Sequence, residues 1–311
     1  MRALLVVGAI LREPVEITLR FVSWYLDQGV DQIVLCFDDP DDPAIALLKD
    51  HDKVRCIPCT RAFWLGIGIR PRKRFTLRQN AAMQHIYDGL PVGWFLNVDG
   101  DELVYLQGRT LKQEVSAQPD QVSAILIRPA ERIQSPDRPG TIQFRTAMPR
   151  WCCNSVYRDL SKAMLKRRGL SGHWIGKSVT RTGLATYRVR QHYLRSAEGD
   201  AHVDVILGPE NGAYLLHFID QGYDAWRSKL DWRLSSWGYR GTMRDILLEA
   251  INSPTPEHDL RRIYDAIFVF DHARLTTLER AKACLAIDMA QHTQFARHFA
   301  AEVEIAQRMV G

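Results

Sequence analysis

The sequence predicts an α/β fold in which a mostly parallel β-sheet is flanked by helices and followed by a helical C-terminal extension. Short apolar segments alternate with amphipathic segments over the first hundred residues, as in strands joined by crossover helices. Residues 3–10 are almost continuously apolar, as expected for a strand that is covered on both faces. Acidic residues follow several of these segments, and parallel strands bring such positions to one edge of a sheet.

Residues 14–29 are predicted to form the first helix, because apolar side chains recur at helical spacing between Pro14 and Gly29. Further strands are predicted at residues 32–37, 53–58 and 93–98, with helices at 43–50 and 76–89. The later predicted elements are strands at 122–129 and 212–218, hairpin segments at 176–183 and 185–193, and helices at 223–238, 257–272 and 275–308.

Composition excludes several classes of protein. The chain has 311 residues, of which 46% are hydrophobic and 25% are charged, as in an ordinary globular protein. Its net charge of +5 is too small for a dedicated nucleic-acid binder. No segment approaches the roughly 18–20 apolar residues of a membrane span, so we expect a cytoplasmic protein. Aromatic and basic residues alternate in 226–240, which leaves peripheral membrane contact open, although their helical spacing favours packing on the core.

The six cysteines favour reduced thiols. Cys56 and Cys59 form a C-x-x-C motif, which can begin a zinc site. A zinc site needs a second pair of ligands at suitable spacing, and the adjacent Cys152 and Cys153 do not supply it. We therefore expect neither a structural zinc ion nor a disulfide.

A D-x-D motif, Asp99-Gly100-Asp101, directly follows the predicted strand 93–98. Two ionised carboxylates at i and i+2 repel each other unless positive charge lies between them. Mg²⁺ and Mn²⁺ prefer such oxygen ligands and can also neutralise the diphosphate of a substrate. Gly100 permits a tight turn and the close approach of a ligand to the backbone. D-x-D alone is common in surface loops, but its position after an apolar strand favours a metal site.

His217 lies near the end of the predicted strand 212–218 and is a candidate imidazole ligand for the same ion. A histidine at a strand end is more often a hydrogen-bonded structural residue, so both interpretations stay open. Glu13 follows the first predicted strand, and the pairs Asp38-Asp39 and Asp41-Asp42 follow the second. So many carboxylates at one edge of a sheet are hard to explain by folding alone.

Residues 74–106, RFTLRQNAAMQHIYDGLPVGWFLNVDGDELVYL, resemble the nucleotide-sugar-dependent glycosyltransferases of the GT-A fold, specifically the family-2-like bacterial group. Residues 16–43 resemble the opening of that group, and residues 176–182 and 217–229 resemble its K-S-x-x-R and H-Y…F-x-x-K segments. The resemblance runs from about residue 1 to 240. It implies a GT-A-like (Rossmann-like) domain over 1–240, with a nucleotide-sugar-binding half (1–106), an acceptor-side half (107–240) and a helical extension (241–311).

The resemblance also implies an activity. It is the inverting, metal-dependent transfer of a hexose from a nucleotide-diphosphate donor, with a UDP-sugar favoured, to a hydroxyl of a glycan or lipid-linked glycan. The cofactor would be Mn²⁺ or Mg²⁺, and the setting polysaccharide biosynthesis.

Residue by residue, the resemblance implies the following roles. The metal ligands would be Asp99, Asp101 and His217, the nucleoside pocket would include Glu13, Asp38 and Asp39, Arg78 would approach the donor, and Lys229 would offset phosphate charge. Lys177 and Arg181 are candidates for phosphate or acceptor contact, and Glu102 for orienting its neighbours or the acceptor rather than for binding the metal. The general base is not singled out, and Glu131, after the predicted strand 122–129, is a suggestion for it.

Two alternatives from other functional classes stay open. A nucleotidyltransferase or phosphohydrolase would use the same metal chemistry, but it should carry a further carboxylate cluster or a glycine-rich phosphate loop. A catalytically inactive relative that binds sugar nucleotides is the second alternative. The presence of Asp99, Asp101 and His217 argues against it.

Overall fold

The structure, a computed structural model, describes residues 4–236 and 238–288. The strands of this part of the chain are β1 (Leu4–Leu11), β2 (Gln32–Phe37), β3 (Val54–Pro58), β4 (Gly93–Asn97), β5 (Glu102–Leu106), β6 (Ala124–Ile127), β7 (Pro129–Ile133), β8 (Thr141–Thr146), β9 (Lys177–Arg181), β10 (Arg188–Val189), β11 (Leu194–Arg195), β12 (Ala201–His202), β13 (Val205–Leu207), β14 (Ala213–His217) and β15 (Cys284–Asp288). The helices are α1 (Val15–Asp27), α2 (Ala44–Leu48), α3 (Arg61–Gly66), α4 (Phe75–Asp88), α5 (Leu111–Ser116), α6 (Arg150–Tyr157), α7 (Ser161–Leu165), α8 (Tyr223–Ser228), α9 (Leu230–Ser235), α10 (Thr242–Ile251), α11 (Pro256–Phe268) and α12 (His272–Arg280).

The chain forms two compact units, each built from more than one segment of sequence. Among the described residues, the first unit contains 4–128 and 175–215, and the second contains 129–174 and 216–288 without residue 237. No helix in the described ranges is both long and apolar enough to cross a bilayer.

The first unit is centred on a seven-stranded sheet with the order β13-β6-β9-β4-β1-β2-β3. The pairs β13–β6, β4–β1, β1–β2 and β2–β3 are parallel, whereas β9 is antiparallel to both of its neighbours. All strands of this sheet except β9 therefore run in one direction. The predicted mixed α/β fold, with a mostly parallel sheet flanked by helices, is confirmed.

Strand β1 is an interior strand of this sheet, between β4 and β2, and its side chains are apolar on both faces. Val6 and Ile10 pack with Met83 and Ile86 of α4 in one buried core. A Cβ atom at Gly8 would lie 2.7 Å from the ring of Phe95. Glycine at this position lets the aromatic ring of the neighbouring strand pack directly on the backbone of β1.

Two aromatic side chains of α1 hold β5 in place. The indole nitrogen of Trp24 donates to the carbonyl of Val104 (2.8 Å), and the hydroxyl of Tyr25 donates to the carbonyl of Glu102 (3.0 Å). The Val104 amide in turn donates to the Tyr25 hydroxyl (3.2 Å). Because β5 begins directly after the D-x-D motif, these bonds also hold the C-terminal side of that turn.

In the second unit, β7, β8 and β15 pair antiparallel. Helices α6, α10, α11 and α12 contribute apolar side chains to one buried core, including Val156, Leu247, Ile263 and Leu278. Of these helices, most of α11 and most of α12 lie within the predicted helices 257–272 and 275–308, whereas α6 and α10 were not predicted.

Several predicted elements differ from the structure. The segments 176–183 and 185–193 do not pair with each other, since β9 pairs with β4 and β6 while β10 pairs with β11. The predicted helix 223–238 is divided into α8 and α9, which meet at Lys229. The predicted helix 275–308 is wrong over 284–288, where β15 forms, and its residues 289–308 lie outside the described residues. Burial alternates along β15, which is the period of a strand rather than of a helix.

We expect Tyr25→Phe to lower the free energy of unfolding by about 1–3 kcal/mol, because it removes the hydroxyl that bonds both Glu102 and Val104 while keeping the ring. Urea unfolding measures this change. Tyr105→Phe is the matched control, since the Tyr105 ring packs against Trp24, and we expect a change within about 0.5 kcal/mol. Equal stability of Tyr25→Phe and the wild type would show that this hydroxyl does not fasten β5.

Candidate functional site

The carboxyl ends of β1, β2 and β4 meet at one edge of the seven-stranded sheet. Strand β1 lies between β4 and β2, with Gly8 paired to Asn97 and Leu11 paired to Phe37. The chain passes from β1 to β2 on one side, while β4 lies on the other side, so the strand order reverses at β1. Ligands of open α/β sheets bind at such a switch point. The D-x-D turn leaves β4 at this position.

Gly100, which has no side chain, lets the D-x-D turn lie directly against the end of β1. A Cβ atom there would lie 2.7 Å from Cδ2 of Leu11 and 3.2 Å from Cγ of Glu13. The sequence predicted that Gly100 admits a ligand, but in this structure the close neighbours are two protein side chains. A larger residue would push the turn away from β1, so the glycine brings Glu13 beside the D-x-D motif.

Lys177 of β9 lies between two carboxylates of the turn region. Its Nζ is 2.9 Å from Oδ2 of Asp99 and 3.2 Å from Oε2 of Glu102, and both Lys177 and Glu102 have 0% exposed side chains. Glu102 also accepts the backbone amide of Asp99 (2.9 Å). Burial would lower the pKa of Lys177, but the two carboxylates raise it well above its ordinary value. The ammonium group therefore stays charged and orders the turn.

Asp99 is held from a second side by Gln79 of α4. The Gln79 side-chain amide donates to Oδ1 of Asp99, and its own oxygen accepts from Gln191 (2.6 Å). Both carboxylate oxygens of Asp99 thus have protein donors, one from α4 and one from β9. Gln79 was not singled out from the sequence as a site residue. Its only signal was its place beside Arg78 in α4.

Arg78 and Asp38, both predicted to contact the donor, form an ion pair with each other. The guanidinium makes two hydrogen bonds to the Asp38 carboxylate, one of them 3.1 Å long. It also lies over the rings of Trp64 and Phe75, with Cζ at 5.2 Å and 5.7 Å from their centroids. Asp39, by contrast, is exposed and accepts the amide of Asp41 (3.0 Å). Arg78 therefore orients Asp38 at the end of β2.

Arg181 lies at the opposite edge of the sheet from the D-x-D turn. Because β9 is antiparallel to β4, its first residue is at the carboxyl edge and its last residue, Arg181, pairs with Trp94 at the start of β4. The Arg181 guanidinium lies 4.6 Å from the Trp94 ring centroid and donates to the carbonyl of Val122 (2.7 Å). The structure does not bring Arg181 to the candidate site.

In the second unit, His217 at the end of β14 is close to His173. The ring centroids are 5.4 Å apart, and a nitrogen of one ring lies within 4.8 Å of a nitrogen of the other. His217 is 8% exposed, and His173 is half-buried. His173 was not identified from the sequence, since a single histidine in a loop carries no periodic or spacing signal. Lys229 lies where α8 meets α9, and its Nζ donates to Gln221 (3.3 Å).

Glu131, suggested as the general base, is fully enclosed in the second unit. Its carboxylate accepts from the Arg145 guanidinium (2.8 Å and 3.2 Å) and from the backbone amides of Ser171 (2.7 Å) and Gly172 (2.5 Å). Burial would raise the pKa of Glu131, but the charge of Arg145 and these donors hold it below its ordinary value. A general base must reach the acceptor hydroxyl. This enclosure argues against Glu131 as the base, and the contacts that it makes here anchor a loop.

We expect Lys177→Met to destabilise the protein by roughly 3–5 kcal/mol, because it leaves the buried Glu102 carboxylate without its cation. The double variant Lys177→Met/Glu102→Leu should recover part of this loss, since neither buried charge remains. Urea unfolding gives both values, with exposed Lys49→Met as the control. A single variant as stable as the wild type would show that the ammonium group does not order the turn.

We expect the contribution of Glu131 to stability to depend on pH. Its pKa is lowered by folding, so the contribution is fully present above its ordinary value of 4.5 and is lost as the pH falls through the folded pKa. The difference in unfolding free energy between the wild type and Glu131→Gln should therefore narrow below about pH 4.5. Glu279→Gln, at a site that is 48% exposed, is the control. A difference in unfolding free energy that stays constant from pH 7 to pH 3.5 would contradict the lowered pKa of Glu131.

No protein-family model and no curated protein matches this sequence. Among solved structures, the chain is similar to HddC from Yersinia pseudotuberculosis, with 16% identity, a TM-score of 0.28 and coverage of 45% of this chain and 67% of that one. It is similar to glucosyl-3-phosphoglycerate synthase from Mycobacterium tuberculosis in complex with Mn²⁺, UDP-glucose and phosphoglyceric acid (12% identity, TM-score 0.36, covering 77% and 82%). It is also similar to the mannosyltransferase PcManGT from Pyrobaculum calidifontis in complex with GDP-Man and Mn²⁺ (13% identity, TM-score 0.37, covering 99% and 81%).

Proposed function

We propose that this chain is a divalent-metal-dependent glycosyltransferase that moves a sugar from a nucleoside diphosphate, with UDP favoured, to a hydroxyl of a glycan or lipid-linked glycan. The observation that carries the proposal is the position of Asp99-Gly100-Asp101 at the strand-order reversal between β4 and β1. Glu13 and Asp38 follow the two adjacent strands at the same edge. Nucleotides bind at such edges, and a diphosphate there needs a cation.

The donor set fits the proposed cofactor. Carboxylate oxygens are the ligands that Mg²⁺ and Mn²⁺ prefer, and the D-x-D turn offers two of them on a backbone that Gly100 keeps close to β1. We propose Asp99, Asp101 and His217 as the ligands, following the residues that the resemblance implies. Asp99 would share its oxygens with Gln79 and Lys177, which orient it.

The remaining site residues have proposed roles in donor binding. Glu13, Asp39 and Asp38 would line the nucleoside pocket, with Asp38 oriented by Arg78. Arg78 would also bring positive charge towards the donor, and Lys229 would offset charge on the diphosphate as it leaves. Residues 1–240 would form the GT-A-like transferase region and 241–311 its extension, in a cytoplasmic enzyme of polysaccharide biosynthesis.

The proposed reaction is an inverting displacement. The acceptor hydroxyl oxygen forms a bond to the anomeric carbon of the donor sugar, and the bond from that carbon to the diphosphate oxygen breaks. Its electron pair leaves with the diphosphate, and the hydroxyl proton passes to a general base that the sequence does not single out. A divalent ion would act as a Lewis acid on the departing diphosphate.

We expect Asp101→Ala to weaken Mn²⁺-dependent UDP binding at least tenfold, or about 1.4 kcal/mol, because it removes an oxygen ligand from the proposed ion. Calorimetry with UDP, with and without Mn²⁺, measures this effect. Asp52→Ala is the charge-matched control, since its side chain is 87% exposed and precedes β3 at the other edge of the sheet. UDP affinity that is equal with and without metal would remove the central claim.

Product analysis separates the proposed activity from the two alternatives. UDP-glucose and GDP-mannose, with panels of glycan acceptors, are the first donors to test. A glycoside product together with a nucleoside diphosphate supports the transferase. Release of a nucleoside monophosphate together with a sugar 1-phosphate would indicate a phosphohydrolase. Conversion of added pyrophosphate to a nucleoside triphosphate, with release of the sugar 1-phosphate, would indicate a nucleotidyltransferase. Tight metal-dependent binding without turnover over the whole panel would indicate a binding protein.

A further inference from the structure

We infer that His173 is a metal ligand together with His217, so that the proposed ion is bound by two imidazoles. The inference rests on the proposed function, because it extends the ligand set that was proposed there. Its structural basis lies wholly in the second unit. The two rings are 5.4 Å apart, with one nitrogen of each within 4.8 Å of the other.

The spacing of the two rings suits a shared ion. Two imidazole nitrogens bound to one transition ion at about 2.1 Å each lie roughly 3–4 Å apart. The observed upper limit of 4.8 Å is close to this range, so a small rotation of the half-buried His173 side chain brings both nitrogens onto one ion. His217 is buried and needs no such movement to keep its position at the end of β14.

Glu131 anchors the loop that carries His173 next to His217. The amides of Ser171 and Gly172, the two residues before His173, donate to the two oxygens of Glu131. Glu131 is fixed in turn by Arg145, and both of these side chains are 0% exposed. A loop whose backbone is tied to a buried ion pair presents its next side chain in a defined place. That rigidity is what a metal site requires of its supporting residues.

Gly172 makes the close approach of the two histidines feasible. A Cβ atom there would lie 2.8 Å from Cε1 of His217 and 2.9 Å from Oε1 of Glu131. Any other residue would force His217 away or break the bond to Glu131. The loop thus passes directly against the His217 ring, and His173 follows at the next position.

A second imidazole has a consequence for the choice of metal. Imidazole nitrogens suit transition ions, whereas Mg²⁺ favours oxygen ligands and retains several waters. The ratio of Mn²⁺ affinity to Mg²⁺ affinity should therefore depend on His173. Without the His173 imidazole, the preference for Mn²⁺ over Mg²⁺ should be smaller.

We expect His173→Gln to weaken Mn²⁺ binding at least tenfold while changing Mg²⁺ binding less. Calorimetry with each metal salt alone, on the full chain freed of metal by a chelator, measures both dissociation constants. His258→Gln is the matched control, because His258 is exposed on α11, and it should leave both constants unchanged. Unchanged Mn²⁺ affinity in His173→Gln would overturn the inference and leave the two rings as a packing pair.

Pulsed electron paramagnetic resonance of bound Mn²⁺ counts the directly coordinated nitrogens. We expect two in the wild type and one in His173→Gln. The wild-type count needs no variant, so it decides the question even where the substitution prevents folding, and a count of one or none overturns the inference. Mn²⁺-dependent UDP binding with a single coordinated nitrogen would support the proposed transferase and exclude His173 as a ligand. Two coordinated nitrogens without metal-dependent UDP binding would support His173 as a ligand and contradict the proposed transferase.

Discussion

The candidate site depends on one buried cation. Lys177 contributes its ammonium group from β9 to Asp99 and Glu102, at the point where β4 ends and β5 begins. A buried ammonium is costly in the absence of partners, and so is a buried carboxylate. Either side chain buried without the other would destabilise the folded protein. Their ion pair forms only when β9 lies next to β4 and the turn closes above both side chains. The geometry of the D-x-D motif follows from that requirement.

A buried ion pair also anchors a loop in the second unit. Glu131 and Arg145 form a fully buried ion pair, and the remaining hydrogen-bonding capacity of Glu131 is taken by the amides of Ser171 and Gly172. In each unit, a buried charge pair holds a loop that carries a candidate ligand, Asp99 in one and His173 in the other. Such pairs contribute little net stability, because desolvation offsets the attraction, but losing one partner is costly. Their value here is the definite position that they impose on a loop.

Some of the predicted site residues lie where the sequence motifs placed them, and others do not. The carboxylates after β1, β2 and β4 lie at one edge, as the alternation of strands and helices predicted. Arg78, however, contacts Asp38 and so orients another site residue. Arg181 was predicted from the same short segment as Lys177, yet the antiparallel direction of β9 places the two at opposite edges. The direction of a strand within a sheet is not encoded in the strand's own residues.

The sequence by itself determined the elements whose signals are local. The apolar run of β1, the helical period of α1 and the acidic turn after β4 each depend on neighbouring residues, and each is observed where it was predicted. Only the tertiary structure decided the contacts between distant positions: Lys177 with Asp99, 78 residues apart, Arg78 with Asp38, 40 residues apart, and His173 with His217. Those contacts follow from strand order and register, which are set by packing over the whole sheet. Periodicity within a single segment carries no information about them.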